Sequence, residues 1–362
     1  MEYLIQYGMF LAKVATLVVA VVILLGAIVS AGSRGKKMPR KGSIRVTPRN
    51  DHIDEMKDSL RHSVLDKEEL KLIHKAEKKS AKLEHKEKAK QLKEEKKAKD
   101  GDAAEGSLED RKKRVYVLNF DGDIAAEGVS SLREEITAVL SLATEKDEVV
   151  LNLESPGGMV HAYGLASSQL LRIKNQSIPL TICVDKVAAS GGYMMACLAD
   201  RLIAAPFAII GSIGVLVQLP NFHRILKKHD VDYEIISAGE FKRTLSTFGE
   251  ITKKGKDKVQ EDVENIHDIF KTWVKEHRPS VEIDKIATGE TWVGMQAKER
   301  YMVDEIKTSD EYIVASCASA DVFEVEFEIP RSIQDKLGSA FQGSVQKIFS
   351  TLFEKSTTNK YQ

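Results

Sequence analysis

Only three cysteines occur in 362 residues, Cys183, Cys197 and Cys317. They are too few and too irregularly spaced for a disulfide framework or a thiolate metal site. Cys183 and Cys197 sit in apolar runs and read as small buried apolar residues. Neither a His-x-x-x-His nor a Cys-x-x-Cys pair is present, so no metal is expected, and nothing in the chain asks for another cofactor. Net charge is lacking too: 54 Lys and Arg balance 54 Asp and Glu, which points to neither an acidic nor a basic partner. Charged residues nevertheless make up 30% of the chain, above the usual quarter or so, and must therefore be concentrated. What is present in quantity is apolar: 43% hydrophobic residues suffice for a sizeable core, in a length suited to one large or two ordinary domains.

After a short tail (1–8), Met9–Ala31 reads MFLAKVATLVVAVVILLGAIVSA. This apolar run is long enough to cross the hydrocarbon layer, and Lys13 lies where it can snorkel to the interface. The run is long for a signal peptide and lacks a basic start, so an uncleaved anchor in a lipid bilayer is expected. Arg34, Lys36, Lys37, Arg40, Lys41 and Arg45 come immediately after it, and the positive-inside rule would keep the rest of the chain in the cytoplasm. Residues 32–113 read as a spacer. Within it Asp66–Lys99 is almost all Lys, Glu and Ala, with Glu-to-Lys pairs at helical spacing. Leu65, Leu72 and Leu83 are too sparse for a coiled-coil seam. Glutamates interleave with the lysines and aromatics do not, which favours a solvated helix between membrane and body over a nucleic-acid arm. Asp100–Leu108, rich in Gly and Ala, is a linker.

The body runs over 114–330. Strand (VYVLNF from Val115), helix (Ser131–Leu142, with Leu132, Ile136, Val139 and Leu140 on one face) and strand (Glu148–Leu153) open an α/β unit with parallel strands. Ser155-Pro-Gly-Gly158 comes after the second strand, at the strand end where open α/β sheets bind ligands. A second unit repeats the arrangement: helix Tyr163–Lys174, strand Leu180–Val184, then Ala188-Ala-Ser-Gly-Gly192. There Ser190 sits on a tight strand-to-helix turn, with a helix opening at about Tyr193. Either turn alone is accounted for by plain turn chemistry or close packing. Side by side, Gly158 and Gly191 supply the two N–H donors that acyl transfer needs.

The chain resembles the signal peptide peptidase A family of membrane-bound serine peptidases, and within it the SohB branch. The resemblance covers about 115–314. It is carried by Ser155-Pro-Gly-Gly158, Ala189-Ser-Gly-Gly-Tyr193, Gly211-Ser-Ile-Gly-Val215 and Gly239-Glu-Phe-Lys242. It implies a ClpP/crotonase-like fold of repeated ββα units, with Ser190 as nucleophile, Lys242 as general base, Ser212 holding the lysine amine, and backbone donors at Gly158 and Gly191. It also implies peptide substrates, a homo-oligomeric ring, and a location on the periplasmic side of the bacterial inner membrane. The basic cluster behind the anchor opposes that last point.

A lysine acts as base only when neutral, which asks for a fall of roughly 3 units from about 10.4, within the reach of burial. His161, beside the Gly158 turn, and His223 and His229, after the Gly211 segment, are rival bases for a Ser-His pair. Two other functions fit the same fold: a crotonase-type enzyme of acyl thioesters, and a non-catalytic membrane scaffold. Asp257–Glu276 carries Val259, Val263, Ile266, Phe270 and Val274 at helical spacing and reads as a long amphipathic helix on an assembly surface. Residues 331–362 form a C-terminal segment whose Arg331–Glu354 stretch is a weaker amphipathic helix.

Overall fold

The computed structural model describes residues 42–75, 78–79 and 111–329, with the isolated positions 6, 9, 13 and 16. Nearly all of the anchor expected at Met9–Ala31, most of the charged helix and the C-terminal segment therefore fall outside the described residues. Among the described residues no helix is long and apolar enough to cross a membrane. Residues 44–327 form one unit, and 1–43 with 328–362 a second. The first unit holds the sheets and the candidate site.

Among the described residues ten strands carry the fold: β1 (Ser43–Pro48), β2 (Arg114–Asp121), β3 (Glu148–Glu154), β4 (Leu180–Val184), β5 (Val187–Ala189), β6 (Arg201–Ala204), β7 (Ile209–Gly211), β8 (Thr291–Val293), β9 (Glu305–Ile306) and β10 (Asp321–Glu328). Seven form one sheet in the order β1-β10-β2-β3-β4-β6-β9, and three form another in the order β5-β7-β8. From β10 to β9 every neighbouring pair of the large sheet is parallel. Leu118 lies opposite Leu151, Leu151 opposite Ile182, and Ile182 opposite Leu202.

Parallel strands covered on both faces read as unbroken apolar runs, which is why EVVLNL and LTICV show no alternation. Successive side chains still point to opposite faces. Leu118, Leu151 and Ile182 enter the main core, while Val117, Val150 and Cys183 enter a smaller one closed by Ile313. The main core is roofed by α2 (Val129–Leu140), α3 (Val160–Lys174), α4 (Gly191–Ala196) and part of α6 (Lys253–His277). The helix expected at 257–276 is α6; Phe270 and Val274 are buried from it. Its Trp273 Nε1 donates to Met194 O at 3.0 Å and ties it to α4.

Large-sheet strand, small-sheet strand, helix recurs along the chain. β4 in the large sheet is followed by β5 in the small one and then α4, and β6 and β7 repeat the pair. Even β3 is followed by a single parallel bridge, Ser155 to Ala188, before α3 begins. The result is a mixed α/β protein.

Residues 43–64, assigned to the spacer on sequence, belong to the body. β1 lies beside β10, and α1 (Arg49–Val64) is pinned by Asn50. The Asn50 side chain donates to Cys317 O and Ala320 O, both at 3.0 Å, and accepts from Val322 N at 2.7 Å. An ion pair between Arg49 and Glu324 (3.1 Å) adds to the clamp. Because α1 buries no residue, apolar periodicity could not reveal it.

At the same amino-terminal end of the neighbouring strands, Arg111 grips Asp147 through both carboxylate oxygens, at 2.6 and 2.5 Å. Burial alone would raise the Asp147 carboxyl. The hydrogen bonds from Arg111, Thr144 N and Arg114 N overcome it and hold the pKa down to about 2.

Candidate active site

The site is assembled by backbone pairing. Ser155 leaves β3 and bridges β5: its N–H donates to Val187 O at 2.8 Å and its carbonyl accepts from Ala189 N at 3.0 Å. β5 in turn pairs with β7 in parallel, with Ala189 opposite Gly211. Three chain ends therefore lie side by side: Ser155–Gly158, Ala189–Gly191 and Gly211–Ser212. Of the residues singled out on sequence, Ser190, Ser212, Gly158 and Gly191 all fall here.

Ser190 has φ 52° and ψ −118°, a conformation that costs a non-glycine residue on the order of 1–3 kcal/mol and persists only where its surroundings over-determine it. Its N–H donates to Gly211 O at 2.7 Å, and its carbonyl accepts from Met194 N at 3.0 Å, opening α4. The helix begins at Gly191, two residues before the sequence suggested. Ser212 repeats the strain at φ 53°, with its N–H held by Glu290 O at 2.7 Å.

Glycine is required where the turns meet. A Cβ on Gly157, whose φ is +90°, would lie 2.7 Å from Ala189 O, Gly191 N and Ser190 Cβ. One on Gly191 would lie 2.4 Å from Tyr163 Cγ. Bare backbone thus packs against bare backbone around Ser190. Neither the Gly158 N–H nor the Gly191 N–H has a hydrogen-bond partner among the described residues, which leaves both able to serve a ligand.

The Ser190 and Ser212 side chains are half-buried. Lys242 is exposed, on the loop between α5 (His223–Lys228) and α6, where its N–H donates to Gly239 O at 3.2 Å. Among the described residues no hydrogen bond joins its amine to Ser190 or Ser212. The rival histidines do no better. His161 and His229 are exposed, His223 is half-buried, and none bonds Ser190.

Two residues that sequence reasoning passed over complete the arrangement. Ser155 and Tyr163 are both wholly buried and lie 2.5 Å apart through their hydroxyls. Ser155 belongs to the Ser-Pro-Gly-Gly turn, whereas Tyr163 carries no signal beyond its place on a helix. Just beyond Ser212, a groove of about 630 Å³ opens between Val215–Leu219 and the side of α6 that bears Val259 and Val263.

Residues 2–170 match the model described as peptidase family S49 N-terminal, and residues 172–322 that of peptidase family S49. The chain belongs to peptidase family S49. This is the family of signal peptide peptidase A, and its peptidases are of serine type, so the chain is a serine-type protease. The S49 relatives include a probable protease SohB of Haemophilus influenzae, 47% identical over 348 residues that cover 96% of this chain and 95% of that one. A probable protease SohB of Buchnera aphidicola subsp. Schlechtendalia chinensis is 41% identical over 87% of this chain and the whole of its own length. Protease 4 of H. influenzae is 29% identical over 55% of this chain and 34% of that one.

Proposed function

We propose that this S49 protease is a membrane-anchored endopeptidase with a ClpP/crotonase-like fold, cutting unfolded or membrane-derived peptides through an acyl-enzyme on Ser190. The observation that carries the reading is the strained Ser190, held on a glycine-packed joint between two turns that each present a free N–H. The recurring pair of strands followed by a helix supports the fold.

In the proposed cycle the neutral Lys242 amine takes the proton of Ser190 Oγ, and the oxygen attacks the scissile carbonyl carbon. The tetrahedral oxyanion sits between Gly158 N–H and Gly191 N–H, a pair in which each donor is worth about 10²–10³ in rate. As the C–N bond breaks, the lysine ammonium returns its proton to the leaving amine. Water, deprotonated by the same amine, then hydrolyses the ester. Ser212 holds the amine by one hydrogen bond without adding a negative charge. The apolar groove beyond Ser212 accepts apolar side chains of an extended peptide.

A lysine serves as a base only where water is excluded, and on this reading assembly supplies those surroundings for Lys242, which is exposed in the single chain. The segment that bears Lys242 also exposes Leu216, Phe222, Ile225, Ile236 (99% exposed) and Phe241, apolar side chains whose burial is favourable. A homo-oligomeric ring buries it and brings Lys242 of one copy to Ser190 of the next. Met9–Ala31 anchors each copy in the bacterial inner membrane with the catalytic body on the periplasmic face. Proteolysis of spheroplasts tests that face: a body degraded only after lysis would refute it.

Fluorophosphonate labelling tests the chemistry. Wild type is expected to label at Ser190, and both Ser190→Ala and Lys242→Ala to be inactive. Mixing the two inactive chains regains activity when serine and base come from different copies. An unlabelled Ser190 in active wild type refutes the acyl-enzyme.

A further inference from the structure

Beneath the Ser155-Pro-Gly-Gly158 turn runs a connected chain of hydrogen bonds. Tyr163 OH donates to Asp123 O at 2.7 Å. A carbonyl can only accept, so with the phenol's proton there its oxygen accepts from the Ser155 hydroxyl at 2.5 Å, and Gly122 O, 3.4 Å from Ser155 Oγ, is a second acceptor for that hydroxyl. Ser155 Oγ accepts in turn from Gly157 N at 3.1 Å. The order is Gly157 N–H to Ser155, Ser155 O–H to Tyr163, and Tyr163 O–H to Asp123. Ser155 is itself no nucleophile, being 0% exposed. Burial raises the Tyr163 phenol above its ordinary range, so the donor keeps its proton.

The same tyrosine meets the other turn. Its ring lies flush against Gly191, where a Cβ would stand 2.4 Å from Cγ. Its hydroxyl therefore reaches the turn that carries Gly158, and its ring reaches the turn that carries Gly191. We propose, resting on the acyl-enzyme reading of Ser190, that Tyr163 and Ser155 are positioning residues that set the spacing of the two oxyanion donors. Phenylalanine at 163 would fill the core equally well and keep the ring against Gly191. What it would remove is the hydroxyl that orients Ser155, and through Ser155 the Gly157 N–H.

The test uses the purified full chain with Tyr163→Phe, Ser155→Ala and the double variant. Turnover of the aminomethylcoumarin amide of acetyl-Leu-Leu-Leu is referred to the number of Ser190 sites that fluorophosphonate labels at completion, so an unfolded fraction does not count. Affinity for acetyl-Leu-Leu-norleucinal is measured in parallel, because its hemiacetal oxygen occupies the oxyanion position. Each single variant is expected to lower kcat about 10- to 100-fold, with KM held within about twofold. Aldehyde affinity should fall by a similar factor, and the double variant should be no worse than the poorer single one, as for residues that act as a unit. Unchanged kcat, a rise in KM alone, or multiplying losses in the double variant would overturn the positioning role. The two readings fail separately: an unlabelled Ser190 in wild type removes the acyl-enzyme and this inference with it, whereas a labelled, active wild type beside an unaffected Tyr163→Phe removes this inference alone.

Discussion

Replacing Gly157 by alanine puts a methyl carbon into the joint between the two glycine turns. On the backbone as it stands that carbon lies 2.7 Å from Ala189 O, Gly191 N and Ser190 Cβ, so no flexible side chain can swing away to make room. Ordinary contact begins at 3.4 Å, and one turn must therefore retreat from the other by about 0.7 Å. Alanine at φ +90° adds strain of roughly 1–2 kcal/mol, and overpacking typically adds about 1–3 kcal/mol more. A net loss of about 2–5 kcal/mol in stability is expected. Because a displacement near 1 Å costs on the order of 10²-fold in rate, the fluorophosphonate labelling rate at Ser190 should fall by about that factor. Gly164→Ala on α3 is the matched control, since a Cβ there meets nothing within 4 Å. It should leave labelling unchanged and stabilise the helix by up to about 1 kcal/mol. Urea unfolding and labelling kinetics on both variants decide the matter. A Gly157→Ala protein that labels as fast as wild type, with an unchanged unfolding midpoint, would show that the close approach of the turns does not set the site.

Asp147→Asn breaks the grip of Arg111 on a fully buried carboxylate and should cost about 3 kcal/mol in urea unfolding. In wild type the depressed Asp147 pKa makes this contribution complete above the ordinary carboxyl range near pH 4, and it should be lost as pH falls through about 2. A wild-type and Asp147→Asn stability difference that stays constant from about pH 6 down to about pH 2 would contradict that assignment. Tyr193→Phe deletes the buried hydroxyl that donates to Met302 O at 3.0 Å. The orphaned carbonyl should cost about 1–3 kcal/mol, read as a lower urea midpoint at unchanged slope.

Three strands of the large sheet, β2, β3 and β4, were legible because they are apolar runs between turn residues, and α6 because five apolar positions recur at helical spacing. Ser190 was legible through Ser-Gly-Gly, a composition forced by the approach of Gly157 and Tyr163 to the backbone around it. Three features escaped. The β1–α1 segment is tied to the body by Asn50 across some 270 positions in sequence, and a helix that buries no residue leaves no periodic trace. Tyr163 looked like any apolar helix residue, because a hydroxyl bonded to a turn eight residues upstream has no pattern of its own. Lys242 was picked out by its motif, yet the structure leaves it exposed, with no bond to Ser190 or Ser212 among the described residues.

That last contrast separates two jobs within the site. Ser190 and Ser212 leave paired strands at the same level, both with positive φ, and each is held there by a backbone bond, to Gly211 O and Glu290 O respectively. Gly289 N donates to Ile213 O at 3.1 Å and fastens the same strand end from its other side. The small sheet therefore pins both serines with main-chain groups of one copy, and nothing in that arrangement waits on a neighbour. The proposed base is different: a neutral amine needs water excluded, and the loop that carries Lys242 is exposed along nearly its whole length. On the proposed scheme the nucleophile is shaped before assembly and deprotonated after it. Dissociating the ring should accordingly suppress kcat while leaving the Ser190 joint intact, which ties protease activity to chain concentration and spares isolated copies from cutting at random.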